Sequence, residues 1–298
     1  MKRKLAGFTL IELMIGLLLS SVFLLGINQI LSQTRTNFRI QKATSDMMED
    51  GRYIQDILGV EIRRVGFLRN RLEVGGGRAN IFGPTGVNQA GTIYSIVTGG
   101  GDYISLINSQ SISGVDGGDA GDSFVIRYQL NDALEVSSAL SPCTRNLSLT
   151  GIEDPAIQRH VISIFFYVDN NVLQCVSRRD NLDTTPPSSV TSVAQPLIAN
   201  VERIRVLYGQ GNATGGLAYK TATQIATVPA PPTVYLGWGL VKSLRLSIVL
   251  FSQQQNLAFI TPAAYTLNGN RSFDPENPAQ NRLYRDFSVT VAFRNQGL

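Results

Sequence analysis

Residues 1–31 of the chain read MKRKLAGFTLIELMIGLLLSSVFLLGINQIL, and this stretch decides the fold. Three basic residues precede an apolar run in which Glu12 is the single charge before Arg35. As a helix, the 20 residues from Phe8 to Ile27 span the roughly 30 Å hydrocarbon core of a bilayer. Because basic residues stay on the cytoplasmic side, the pattern predicts a cytoplasmic N-terminus with the remainder beyond the membrane.

Two simpler interpretations of this stretch explain it less well. A secretory signal needs a small-x-small cleavage site after the apolar run, and GINQILSQTRTNF at 26–38 offers no convincing one. A plain anchor leaves Glu12 unexplained, because a charge inside the membrane costs about 2.5–3.5 kcal/mol by insertion scales and the span contains no basic partner. A cut between Gly7 and Phe8 would supply a free α-amine as counter-charge. Glu12 would then lie in the first turn, where the helix dipole favours an anion.

The segment from Gly7 to Leu13, GFTLIEL, resembles the type IV prepilin motif of pilins and pseudopilins. The resemblance implies that a prepilin peptidase cuts after Gly7 on the cytoplasmic side and that the new N-terminal Phe8 is methylated. It also implies that the apolar stretch serves first as a membrane anchor and later as filament core.

The anchor is expected to continue as one long helix from Phe8 to about Val65. No proline occurs before Pro84, and apolar or small residues recur at helical spacing in a single stripe: Ile40, Ala43, Met47, Gly51, Ile54, Leu58, Ile62 and Val65. Gly66, preceded by two arginines, is the predicted end. A coiled-coil dimer is the competing interpretation of the stripe, which covers fewer than four heptads.

After Gly66 the pattern predicts β-structure. Apolar residues alternate over the three best candidates, 123–130, 242–250 and 286–294, as expected for a half-covered antiparallel sheet. Further strands are predicted at 161–168, 172–176 and 201–208, with a hairpin turn at 169–171. The fold class is therefore α+β, a long N-terminal helix laid on an antiparallel sheet. Long irregular stretches are predicted between the strands, and they are candidate partner contacts: 75–91, 99–122, 178–195, 209–232 and 252–281.

Outside the cytoplasm, the two cysteines of a loop-rich domain favour a disulfide. Cys143 and Cys175 would close a loop of about 32 residues, worth roughly 3–4 kcal/mol in the chain-entropy model. Free thiols are the alternative.

Catalytic and metal-binding patterns are mostly missing from the sequence. The chain has a single histidine, His160, which excludes most His-based catalysis and His-rich metal sites. His160 is expected at the surface or in a turn. No Walker A loop, G-x-S-x-G elbow or HExxH is present, so neither an enzyme nor a cofactor is expected. Asp116, Asp119 and Asp122 raise the possibility of calcium, but their spacing does not match an EF-hand and the glycines between them fit turns equally well.

Charge also argues against nucleic acid as a partner. The net charge of +4 falls to +1 once residues 1–7 are removed, because Lys2, Arg3 and Lys4 supply three of the four charges. The rest of the chain has no basic stripe interleaved with aromatic residues.

Four stretches resemble the PilW family of type IV pilus minor pilins: 47–67, 118–129, 195–209 and 284–296. The resemblance implies a minor pilin that assembles with other minor pilins and the major pilin, primes polymerisation on the inner-membrane platform, and stays near the pilus tip beside a tip adhesin. A minor pseudopilin of a type II secretion tip complex is the alternative.

These inferences divide the chain into four parts. Residues 1–7 form a cleaved leader, 8–31 a transmembrane and filament-core helix, 32–66 its amphipathic continuation, and 67–298 a β-rich head. The expected location is the inner membrane in a single pass with the head in the periplasm, then the extracellular pilus tip.

Overall fold

The fold is described from a computed structural model of the chain. It describes residues 9–67, 94–97, 103–106, 111–117, 121–129, 141–145, 147, 160–181, 188–211, 216–226, 234–257, 265–267, 271–273 and 281–294. Three helices lie in these ranges: α1 (Leu10–Arg63), α2 (Ala222–Ala226) and α3 (Val234–Gly239). Fourteen strands accompany them: β1 (Tyr94–Val97), β2 (Tyr103–Leu106), β3 (Ile112–Val115), β4 (Ser123–Gln129), β5 (His160–Asp169), β6 (Val172–Asn181), β7 (Ser188–Thr191), β8 (Gln195–Ala199), β9 (Val201–Gly211), β10 (Leu217–Lys220), β11 (Val241–Phe251), β12 (Tyr265–Leu267), β13 (Arg271–Phe273) and β14 (Tyr284–Ala292).

Helix α1 is one uninterrupted element of 54 residues. Its C-cap is Arg64, and the chain leaves it through Gly66 in the left-handed region, with φ of 72°. Glycine adopts that conformation without steric cost, which confirms the predicted end of the helix. The Gly66 amide then donates to the Arg127 carbonyl at 2.9 Å and joins the end of α1 to strand β4.

The larger sheet has the order β3-β4-β5-β6-β7, with β8 also paired to β6, and all its pairs are antiparallel. The predicted turn between β5 and β6 is confirmed. Asn170 and Asn171 occupy it with φ of 49° and 59°, the positive values that a tight two-residue hairpin requires and that asparagine tolerates.

The second sheet has the order β10-β9-β11-β14, again antiparallel throughout. Strand β14 is its edge strand and shows the clearest alternation, since Phe287 and Val291 are buried between exposed neighbours. The amphipathic half of α1 packs on β14 and β11, so the prediction that the stripe covers a sheet is confirmed. Two short hairpins, β1–β2 and β12–β13, complete the described strands.

One hydrophobic core joins α1 and both sheets. It contains the buried helix residues Ile54, Leu58 and Ile62 together with the inward faces of β4, β5, β9 and β11. Trp238, the only tryptophan, lies in the same core with its ring against Tyr208. The stripe is therefore buried inside its own chain.

Two expectations about the strands were wrong. Strand β4 is buried on both faces from Ser123 to Tyr128, because Val125 packs with Phe165 on the side opposite the main core, so a half-covered sheet describes β14 but not β4. Several predicted irregular stretches also contain strands; β6 continues to Asn181, and β10 lies inside 209–232. The stretch 75–91 lies outside the described residues.

Candidate functional site

The N-terminal half of α1 is an apolar rod that no other part of the described chain covers. Among the described residues, α1 is the one helix long and apolar enough to cross a membrane, and its most apolar 18-residue window is entirely exposed within the molecule. Its exposed large apolar residues are Leu10, Ile11, Leu13, Met14, Ile15, Leu17, Leu18, Leu19, Val22, Phe23, Leu24, Leu25, Ile27, Ile30 and Leu31. We call residues 10–31 the stem. A surface this apolar is stable in lipid or against other apolar rods, and unfavourable in water.

The stem begins with a defined cap. Thr9 is the N-cap, and its hydroxyl oxygen accepts a hydrogen bond from the Glu12 amide at 3.4 Å. The Thr9 carbonyl accepts the amide of Leu13 at 3.2 Å. Threonine followed three residues later by glutamate is the sequence of a capping box, so the residues that resemble the prepilin motif also start the helix.

Glu12 lies in the first turn of α1 and is exposed. The helix dipole favours its negative charge there, but its own chain offers no cation along the stem. The next charge is Arg35, 23 residues further on and therefore about 34 Å along the helix axis. A counter-charge for Glu12 must come from the residues just before the helix or from another molecule.

Gly7 and Phe8, the predicted cleavage and methylation positions, lie outside the described residues. Phe8 directly precedes the N-cap in the sequence. A chain that began at Phe8 would carry its α-amine one residue before the N-cap, at the end of the stem where Glu12 lies.

The head holds the second half of α1 by close packing at Gly51. A Cβ at this position would collide with the Phe287 ring of β14, so only glycine allows the helix to approach the sheet this closely. One turn later, the Gln55 side chain donates to the Ser288 carbonyl at 3.0 Å on the same strand. These contacts fix the direction in which the stem leaves the head.

The predicted disulfide between Cys143 and Cys175 is present, with the two Cα atoms 5.6 Å apart. It attaches segment 141–145 to β6, where the Ser177 hydroxyl donates to the Cys143 carbonyl at 2.6 Å. No other cysteine exists in the chain.

The three aspartates considered for calcium do not form a described metal site. Asp116 caps helix α2 by accepting the amides of Ala222 and Thr223 at 3.0 and 2.8 Å. Asp119 lies outside the described residues. Nowhere in the described ranges do three or more His, Cys, Asp or Glu side chains form a group that could hold a metal ion. The pKa of Asp116 is lowered, because the hydrogen bonds from Thr223, Thr221 and Ala222 outweigh the raising effect of its burial.

Asp122 instead links the two sheets. One carboxylate oxygen accepts from Arg205 Nη1 at 2.8 Å and the other accepts the Val206 amide at 2.8 Å, while the Asp122 amide donates to the Ile204 carbonyl at 2.9 Å. Burial raises the pKa of Asp122, although the bonds from Val206 and Arg205 act in the opposite direction. The prediction singled out the residue, but its structural role was not foreseen.

Other buried polar residues escaped sequence reasoning. Glu61 is buried on the apolar side of α1 and has a carboxylate oxygen 3.8 Å from the Arg64 guanidinium. Arg127 is buried in β4 and donates to the Ser163 hydroxyl of β5 at 3.1 Å. His160, expected at the surface or in a turn, is buried as the first residue of β5. No periodic signal marks the pairing of Arg127 with Ser163, which lies 36 residues away and is set by the sheet register. Glu61 has its partner Arg64 only three residues away, but its burial depends on what packs over α1.

Two models of known protein families match parts of the chain. The family model of PilW, type IV pilus-assembly protein W, matches residues 165–295, which include β6 to β14 and the second half of β5. The model of the prokaryotic N-terminal methylation motif matches residues 2–28, which include most of the stem. The chain therefore matches a PilW-family pilin with a prepilin-type N-terminus. No curated protein matches the chain.

A solved structure was also found. A chain in the crystal structure of the GspK-GspI-GspJ complex from the enterotoxigenic Escherichia coli Type 2 Secretion System aligns with this chain at 8% identity. The alignment covers 52% of this chain and 74% of that chain, with a TM-score of 0.27. At that TM-score we draw no conclusion from the similarity.

Proposed function

We propose that this PilW-family pilin is a minor pilin that primes assembly of a type IV pilus and stays at or near its tip, where it helps to present a tip adhesin. Its partners are the prepilin peptidase, other minor pilins, the major pilin and the inner-membrane assembly platform. The role is structural rather than enzymatic, as is expected for a subunit of the pilus-assembly family that its sequence matches.

The observation that carries the proposal is the exposed stem with Glu12 at its capped end. Before assembly, residues 8–31 cross the inner membrane, with Lys2, Arg3 and Lys4 of the leader 1–7 in the cytoplasm. After assembly the same surface packs against the stems of other subunits. The amphipathic part, 32–66, and the head, 67–298, remain outside the membrane throughout.

Glu12 guides docking by charge. In the proposed filament its carboxylate pairs with the methylated α-amine of Phe8 in an adjacent subunit. Both charges lie in an apolar surrounding, where a partner is worth far more than in water. Removal of either one leaves the other unpaired at low dielectric, which is strongly unfavourable.

The size of the head favours the tip. The head of 67–298 is large for a subunit packed repeatedly around a thin shaft, where neighbours surround every copy. At the tip one side of the subunit is free of neighbours, so a bulky head fits there. This position also places the head beside any adhesin carried by the tip.

The proposal is tested with Glu12→Gln, which keeps the size of the side chain and removes its charge. We expect normal processing and normal amounts in the inner membrane, but loss of pilus priming and of the chain from sheared pili. Glu12→Asp is the matched variant, since it retains the carboxylate and should restore piliation at least in part. Wild-type piliation with Glu12→Gln would contradict the charge pairing. Recovery of the wild-type chain with secretion pseudopilins instead of pilus subunits would contradict the pilus assignment.

A further inference from the structure

An arginine held in place by its neighbours lies on the outer side of the second sheet. Arg245 of β11 faces away from α1, because the residues before and after it point into the core. Its guanidinium carbon lies 3.9 Å from the centroid of the Tyr219 ring on β10. On the other side, its Nε donates to the Thr290 hydroxyl of β14 at 3.4 Å. Stacking on an aromatic ring and one hydrogen bond therefore fix the guanidinium against the sheet.

The ring under Arg245 is itself fixed. The Ser243 hydroxyl of β11 donates to the Tyr219 oxygen at 3.3 Å, across strand β9. Gly209 of β9 is the register partner of both residues, and a Cβ there would collide with the Ser243 hydroxyl and crowd the Tyr219 ring. Glycine at this position thus lets side chains of β10 and β11 meet over β9. We call Tyr219, Ser243, Arg245 and Thr290 the arginine platform.

The charge of the platform has no counter-charge within the described part of the chain. Arg245 enters no ion pair there, and its two terminal nitrogens have no hydrogen-bond partner. No acidic residue occurs in the sequence between Glu202 and Asp274. Asp286, on the same face of β14, lies about 13 Å along the strand from the platform and accepts from the Ser247 hydroxyl. The outer end of the guanidinium is therefore available to an acceptor from another molecule.

The geometry of the guanidinium determines the chemistry of this acceptor. The terminal nitrogens of arginine form a planar fork, which binds a carboxylate through two parallel hydrogen bonds. Since stacking already fixes the fork, little conformational freedom remains to be lost on binding. Lys242 and Arg294, both exposed at the same end of the sheet, add positive charge around it. The surface therefore favours a ligand that carries carboxylates.

Two exposed leucines lie beside the platform. Leu217 is 52% exposed and Leu240 is 41% exposed. Both flank Gly211, since Leu217 is its register partner in the β10–β9 pair and the Leu240 carbonyl accepts its amide at 2.9 Å. Apolar side chains beside tyrosine and arginine, with acidic residues absent, are typical of the centre of a protein–protein interface. The composition therefore favours a protein over a small free anion.

The platform lies towards the end of the head that is remote from the stem. Going away from the stem along α1, Gly51 packs against Phe287, and Gln55 then donates to the Ser288 carbonyl. Strand β14 continues in this direction to Thr290 of the platform. At a pilus tip, a protein beyond the last subunits would meet this end of the head, whereas subunits at either side would meet its flanks.

We propose that the arginine platform docks the tip adhesin by binding a carboxylate on an acidic surface of that protein, with Leu217 and Leu240 as apolar contacts beside the ion pair. The inference rests on the proposed function, because it names the surface with which a tip subunit holds its adhesin. A second copy of this chain is disfavoured as the occupant, since it would present the same three cations. Nucleic acid is disfavoured because three cations and two leucines form a compact patch and not a basic stripe.

The first test uses the amine of Lys242. Treatment of sheared, intact pili with a carbodiimide joins an amine to a carboxylate that already touches it, with no spacer. We expect the peptide that contains Lys242 to be linked to an Asp or Glu of a pilus protein that lacks an N-terminal methylation motif, which defines the adhesin in this experiment. Lys242→Arg is the control, because it keeps the charge but cannot be coupled. It should lose the adduct and keep the adhesin.

Two results of this test would overturn the inference. One is linkage of Lys242 only to a pilin subunit, and the other is no linkage in pili that retain the adhesin. If the wild-type chain or any such adhesin is absent from sheared pili, the proposed function itself fails. If both are present without this linkage, only the docking surface is wrong.

The second test alters Arg245 and compares the amount of adhesin per copy of this chain in sheared pili. Arg245→Ala should lower that ratio about 10-fold, the effect of losing a charge-assisted pair. Arg245→Lys keeps the charge but not the planar fork, and should recover only a small part of the loss. The amount of this chain in the pili should not change, since the stem and Glu12 are unaltered.

Arg285→Ala is the matched control for Arg245→Ala. Arg285 is also an arginine beside an aromatic ring, 6.0 Å from the Phe287 centroid, but it lies at the opposite end of β14. Equal losses in the two variants would contradict the docking surface, as would an unchanged ratio in Arg245→Ala. An unaltered unfolding midpoint would show that the heads are intact. Binding of duplex DNA by the purified full chain, lost in Arg245→Ala, would also overturn the inference, because the ligand would then be a nucleic acid.

Discussion

Leu18 and Leu58 belong to the same helix, yet the first is 64% exposed and the second is fully buried. The apolar residues of the amphipathic half of α1 are buried in the core of the chain, whereas those of the stem are exposed on all sides of the helix. Removing apolar surface from water contributes about 25 cal/mol per Å². Burial of the exposed stem in lipid or against other apolar helices is therefore strongly favourable. The comparison shows that one half of the helix stabilises the fold of its own chain. The other half is stable only in contact with lipid or with other molecules.

Glu12 in the stem and Glu61 in the amphipathic half differ in the same way. Glu61 is buried in the head, and Arg64 on the next turn supplies a positive charge at 3.8 Å. Glu12 has no such neighbour on the stem, where the nearest following cation is Arg35. Glu61 therefore belongs to the stability of the head, while we infer that Glu12 acts in assembly with other subunits.

The largest expected effect concerns the stem and its leader. Gly7→Ala should leave all of the chain unprocessed, because the proposed function requires the prepilin peptidase to cut after this glycine. Mass spectrometry should then find residues 1–7 still attached and Phe8 unmethylated. Ala6→Ser, one position earlier, is the control and should be processed. Normal processing of Gly7→Ala would remove the proposed source of the amine that pairs with Glu12.

Alanine substitutions of Leu58 and Leu18 test whether the two halves of α1 contribute differently to the stability of the head. Leu58→Ala should lower the free energy of unfolding of the head by about 3–5 kcal/mol, as expected for a fully buried leucine in a packed core. Leu18→Ala should change it by less than about 0.5 kcal/mol, since exposed positions contribute little to the fold. The fluorescence of Trp238, buried in the same core, reports the transition in detergent. Similar losses in both variants would mean that the stem also stabilises the head.

The disulfide should affect the head and leave the helix intact. Replacement of Cys143 and Cys175 together by alanine should reduce the free energy of unfolding by about 3–4 kcal/mol, because the bond closes a loop in the unfolded chain. The far-ultraviolet helical signal of the stem should persist. Reduction of the wild-type chain serves as the control, and non-reducing peptide mapping should link the two cysteines. Free thiols in periplasmic material would contradict the bond.

The smallest effect is a pH dependence in the amphipathic half. The folded-state pKa of Asp50 is raised above 3.8 by burial and then by Asp46 and Glu49, so the folded chain holds this proton more tightly than the unfolded chain does. Stability therefore increases as the pH falls through the folded-state pKa towards 3.8, and decreases as it rises through the same window. Asp50→Asn should remove this slope from unfolding midpoints measured between about pH 3 and pH 7. Asp56→Asn is the control on the exposed side, and an unchanged slope in Asp50→Asn would refute the assignment.

Much of the fold could be predicted because its signals are local. The buried stripe of α1 follows from helical periodicity, and Gly66 marks its end because glycine readily adopts positive φ. The turn at Asn170 and Asn171 and the alternation of β14 likewise follow from residues that are adjacent in the sequence. The burial of β4 on both faces was missed, since it depends on Phe165 of another strand.

The sequence by itself determined the long helix, the apolar stem, the position of Glu12 and the pair of cysteines, because each depends on composition or spacing within a short segment. Only the tertiary structure decided that Asp122 would bind Arg205, 83 residues away, and that Gly51 would lie against Phe287. A buried polar group or a close approach is stabilised by whatever the fold brings next to it. That neighbour is set by sheet order and register, which no local pattern of residues records.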